Sequence, residues 1–171
     1  MRVALRLRCG MPRAASLVFA MAVSLTACDG GAPNPGGPPE CSGGGGLGCL
    51  CVAASCSCTG TDACTTTCGD ECAVACTGAG GCTAACGAGC TASCTSAAAC
   101  SFHVGMGSEI ACTGLEGCDA ICEGGGCLLA CTTTGGCTLR CPSGGDCDMT
   151  CTTGAVTACG EGVLVCGRGC P

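Results

Sequence analysis

The chain has 171 residues, among them 28 cysteines and 33 glycines, with two phenylalanines and no tyrosine or tryptophan. So few large side chains exclude a conventional hydrophobic core at this length, and the cysteine density points instead to a disulfide framework. All twelve acids follow Cys28, where only Arg140 and Arg168 oppose them, which is the wrong sign for binding nucleic acid through its phosphates.

Residues 1–27 read as an export signal. Arg2, Arg6, Arg8 and Arg13 make a basic start, and the apolar run from Ala14 to Ala27 is too short to span a bilayer. The run ends in Leu25-Thr26-Ala27-Cys28, which resembles the lipobox of bacterial lipoproteins; Met11 as an alternative start leaves it intact. The resemblance covers the signal alone. It implies cleavage before Cys28, acylation of Cys28, and attachment to a membrane of the cell envelope on its periplasmic or cell-surface face.

Residues 28–48 are dominated by Gly and Pro, with nothing that can pack, and are expected to be a lipidated, flexible tether. Residues 49–171 are then the cysteine-rich repeat domain.

The repeat is eighteen residues long: Cys64, Cys82, Cys100 and Cys118 are evenly spaced, and Cys137 follows one residue late. The first unit is Cys64-TTT-Cys68-GDE-Cys72-AVA-Cys76 followed by TGAGG; the second is Cys82-TAA-Cys86-GAG-Cys90-TAS-Cys94. The fourth and fifth lengthen the middle segment to EGGG and PSGGD, and the third has Val104 and Ser108 at the second and third cysteine positions. Partial units flank these, and a threonine follows each fourth cysteine: Thr59, Thr77, Thr95, Thr113, Thr132 and Thr152.

A helix would align cysteines four apart, but each inserted residue rotates a helix by about 100° and scatters that face. In a strand Cys-x-x-x-Cys, both cysteines and the middle residue point one way. The middle residues are Thr66/Val74, Ala84/Ala92, Phe102/Ile110, Ala120/Leu129 and Leu139/Met149, all apolar except Thr66. The reading is a narrow β-solenoid of six to seven coils, each two short strands joined by a tight turn; the alternative is a string of disulfide knots with little regular structure. The solenoid resembles the disulfide-cored insect antifreeze solenoids in architecture, though repeat length and motif differ.

Connectivity is expected within coils. Val104 and Ser108 are absent cysteines of the same unit, so the second and third positions are read as partners. Facing strands then set the first and fourth opposite, and pairing between coils would leave an odd member in columns of five. The expected bridges are Cys64–Cys76, Cys68–Cys72, Cys82–Cys94, Cys86–Cys90, Cys100–Cys112, Cys118–Cys131, Cys122–Cys127, Cys137–Cys151, Cys141–Cys147 and Cys159–Cys170, with Cys166 and the cysteines of 41–58 unassigned.

Other chemistry is sparse. His103, the single histidine, has only Ser101 and Ser108 as conceivable nucleophile partners and no orienting group. The acids Asp70, Glu71, Glu109, Glu116, Asp119, Glu123, Asp146 and Asp148 follow no calcium-loop spacing. The Cys-x-Cys pairs at 49–51 and 56–58 superficially resemble metallothioneins, but the chain has no lysine and is read as exported. The expectation is a lipid-anchored, non-catalytic cell-envelope protein with a structural or binding role and no catalytic, cofactor or metal residue. Alternatives are a thiolate metal-binding protein and an ice-binding solenoid.

Overall fold

The structure, a computed structural model, describes residues 40–43, 49–60, 62–114, 116–133 and 135–171. The lipobox, Cys28 and most of the expected tether (residues 28–39 and 44–48) lie outside the described residues. Among those described there are fifteen short strands, and no helix is long and apolar enough to cross a membrane.

The chain enters through β1 (Glu40–Gly43), β2 (Cys49–Val52) and β3 (Ser55–Thr59). Five coils follow, each a pair of strands: β4 (Cys64–Cys68) and β5 (Ala73–Thr77), β6 (Cys82–Cys86) and β7 (Thr91–Thr95), β8 (Ala99–Val104) and β9 (Glu109–Thr113), β10 (Gly117–Cys122) and β11 (Leu128–Thr132), β12 (Cys137–Arg140) and β13 (Asp148–Cys151). Then come β14 (Val156–Ala158) and β15 (Val163–Cys166).

Like strands of successive coils pair in parallel, with repeat positions in register: Cys64 opposite Cys82, Cys82 opposite Cys100, Cys100 opposite Cys118, Cys118 opposite Cys137. The second strands stack likewise from β3 to β13. The protein is a β-solenoid of about five coils, one repeat to a coil, each adding about 4.8 Å of rise.

The number of coils is smaller than the sequence suggested, because the flanking segments turn back on the stack. At one end β1 pairs antiparallel with β4 and β2 with β3; at the other β15 pairs antiparallel with β12 and β14 with β15. A solenoid's last strand offers a row of unpaired N–H and C=O groups, and these strands cover both ends of the first sheet and the β3 end of the second. Glu40–Gly43 had been expected in the tether; the open edge of β4 gives its backbone partners that composition does not reveal.

Between the two sheets runs a core one side chain thick. All ten middle positions are buried. Phe102 lies between Ala84 and Ala120 on the neighbouring strands, so the ring fills room that two alanines leave. Most corners turn on residues in the left-handed region. Glu71, Gly89, Gly107 and Gly126, with φ from 55° to 70°, end the turns of the first four coils; Gly60, Gly78, Ser96 and Gly114 follow the threonines. Stacking here is close: a Cβ on Gly105 would lie 2.6 Å from the backbone nitrogen of Ala88.

Candidate functional site

The most distinctive chemistry is a double ladder of sulfur along the two corners. At the return corner, the fourth cysteine of one coil joins the first cysteine of the next: Cys58–Cys64, Cys76–Cys82, Cys94–Cys100, Cys112–Cys118 and Cys131–Cys137, with Cys151–Cys166 completing the column. Cα separations of 5.9–6.6 Å suit a disulfide.

This corrects five expected bridges: Cys64–Cys76, Cys82–Cys94, Cys100–Cys112, Cys118–Cys131 and Cys137–Cys151 do not form. A fourth cysteine has two inward neighbours, the first cysteines of its own coil and of the next. The next lies only six residues on, so the shorter ring closes. The parity argument fails because Cys58 and Cys166, from the flanking segments, supply the odd members. The signal was present in the sequence: these pairs keep a constant separation of six while the turn segment varies.

At the turn corner the structure has Cys68–Cys72, Cys122–Cys127 and Cys141–Cys147, pairs also expected from the sequence, and Cys159–Cys170 joins the last loop. The entry hairpin carries Cys51–Cys56. Coil two departs: Cys86 and Cys90 are buried thiols in place of the expected bridge. Cys90 finds acceptors as a thiol, which is the physical reason the position holds together unbridged. The Cys90 thiol reaches the carbonyl oxygens of Gly87 at 3.2 Å and Gly69 at 3.5 Å. Burial, then the hydrogen bond and charge of Cys90, push the Cys86 thiol above the ordinary cysteine range.

Coil three fills the same place with Val104 and Ser108. The Ser108 hydroxyl, fully buried, donates to the Gly105 carbonyl at 2.9 Å and accepts from the Cys90 amide at 3.1 Å. His103 points the other way, to solvent, 3.1 Å from Glu123. The Ser108–His103 pairing considered from sequence is therefore divided by the sheet, and Ser101 is likewise exposed.

A shallow cavity of about 280 Å³ opens at this corner, bordered by Cys68, Cys86, Val104, His103 and Glu123 among others. Two groups of sulfur atoms lie within 4.8 Å of one another, Cys56/Cys68/Cys72 and Cys122/Cys127/Cys147, but every member is in a disulfide. The acids separate: Asp70, Glu71 and Asp146 border an open groove over the turns, while Asp119 meets Arg168 at 3.2 Å. Arg168 also donates to the carbonyls of Cys118 and Gly136, tying the C-terminal segment to coils four and five.

The outer face of the second sheet is regular. Thr59, Thr77, Thr95, Thr113 and Thr132 are exposed and in register, and beside them runs a column of small residues, Ser57, Ala75, Ser93, Ala111, Ala130 and Thr150. No protein-family model matches the chain, and neither a curated protein nor a solved structure does so.

Proposed function

We propose that the protein is a lipid-anchored, non-catalytic module of the cell envelope whose duty is structural or binding: a stiff disulfide-stapled rod that presents its flat second sheet. The observation that carries this reading is the in-register ladder of exposed threonines beside small residues on that sheet. A narrow solenoid stapled at every step of the return corner, where the threonines lie, keeps such a face flat, and a face of short side chains loses little rotamer entropy on contact. The lipobox-like Leu25-Thr26-Ala27-Cys28 supplies the anchor.

Detergent phase partitioning of the expressed protein tests the anchor. Partition into the detergent phase, lost in Cys28→Ser, is the expected result; a water-soluble mature chain beginning elsewhere would overturn it. The same ladder favours a second reading, an ice-binding solenoid, because its threonines repeat at the roughly 4.8 Å strand spacing of a rigid sheet. Freezing-point hysteresis that Thr95→Lys abolishes would establish that reading over a general binding role.

A further inference from the structure

The thiols of coil two sit in a place built for a bridge. Cys86 is in register with Cys68, and the turn Gly87-Ala88-Gly89 has the same length as Gly69-Asp70-Glu71 above it. The two turns are bonded directly: the Gly87 amide to the Gly69 carbonyl at 3.1 Å, the Glu71 amide to the Ala88 carbonyl at 2.8 Å, and the Ala88 amide to Asp70 Oδ1 at 2.8 Å. Cys68 and Cys72 are bridged on that backbone at a Cα separation of 6.2 Å. The same bond in coil two therefore asks for side-chain rotation and little else. Cys90 lies near enough to raise the Cys86 thiol, and Cys86 borders the cavity that reaches solvent. Every other described cysteine with an assigned state is in a disulfide.

We propose that Cys86 and Cys90 form a thiol–disulfide exchange site that takes small disulfides through the cavity beside His103 and Glu123. Burial holds the proton on Cys86, so the attack quickens as pH rises: the Cys86 thiol loses its proton, and the thiolate attacks one sulfur of RSSR, forming a Cys86–S–S–R mixed disulfide and releasing RS⁻. The Cys90 thiolate then attacks Cys86 Sγ, closing Cys86–Cys90 and expelling the second RS⁻. The two protons lost by the protein leave on two RSH, and two electrons pass from the dithiol to RSSR. Glu123 at the cavity rim and the acidic chain around it select neutral or cationic disulfides over anionic ones.

The test uses the full-length protein in detergent, treated with cystamine, then alkylated and read by intact mass and fragment mapping. The expected result is loss of two alkylatable thiols, mapped to Cys86 and Cys90, faster with cystamine than with oxidised glutathione. Cys90→Ser should trap a stable mixed disulfide on Cys86, whereas Cys86→Ser should stay unreactive, because Cys90 has no route to solvent. Protein isolated with the pair already bridged is first treated with graded cysteamine, which should open this pair before Cys68–Cys72 or Cys122–Cys127. Thiols that persist in excess cystamine would overturn the proposal. So would equal reaction of the two variants, or a coil-two bridge that opens only together with its neighbours.

Discussion

The two corners of the coil solve the same problem differently. The return corner carries a disulfide at every step from Cys58–Cys64 to Cys151–Cys166, and from Cys58 to Cys137 the spacing never departs from six. The turn corner is uneven: bridged in coils one, four and five, thiol in coil two, and Val104 with Ser108 in coil three. The turns longer than three residues, in coils four and five, are both bridged, and their Cα separations of 6.2 and 6.6 Å hardly differ from the 6.2 Å of coil one. A bridge fixes the width of the corner while the loop beyond it grows. Where no bridge exists, the turn stays at three residues and hydrogen bonds hold it, as Ser108 does for Cys90 and Gly105.

If coil three relies on packing where others rely on crosslinks, Phe102→Ala should have the largest effect. It should cost about 4 kcal/mol, about 1 kcal/mol more than Leu139→Ala in the doubly stapled fifth coil. Denaturant midpoints under non-reducing conditions measure both, and equal losses would break the comparison. Next, Cys122→Ala combined with Cys127→Ala should cost about 2 kcal/mol by loop entropy, and protease nicking in the Gly124–Gly126 loop should rise with it. A smaller change should sharpen the contrast from the other side. Val104→Cys with Ser108→Cys should bridge on the three-residue turn and gain about 1 kcal/mol, the crosslink being worth about 2 and the lost serine hydrogen bonds about 1. Smallest, Ser96→Gly at the return corner should stabilise by about 0.5 kcal/mol, since Ser96 holds φ at 54° where its neighbours are glycine. A calorimetric loss of stability there would show that the serine is held by more than its backbone.

The coil was legible in the sequence because inward cysteines and apolar middle residues repeat with strand parity, and insertions fall where only a loop tolerates them. The thin core of Val74, Ala92, Phe102 and Leu129 followed from the same pattern. Connectivity was harder. Cys76 has inward neighbours in two coils, and which is reached depends on a rise that parity does not encode. The caps were hidden because Cys49–Val52 and Val163–Cys166 carry cysteines spaced like partial repeats yet run antiparallel. Nothing in the residues of coil two distinguishes its thiols from the bridged pair above.

The pairing scheme has a consequence for how the molecule can change length. From Cys51 to Cys147, every bridge joins a cysteine to the next one along the chain, with no bridge crossing another. A duplicated or deleted eighteen-residue unit therefore leaves every remaining cysteine of this stretch with its partner, and each link can be sealed in order along the chain, N-terminal end first. Among the described residues only the tail breaks this zipper: Cys151–Cys166 and Cys159–Cys170 interleave. They act as the end-stop of the row, so new coils are free to arise anywhere upstream of it.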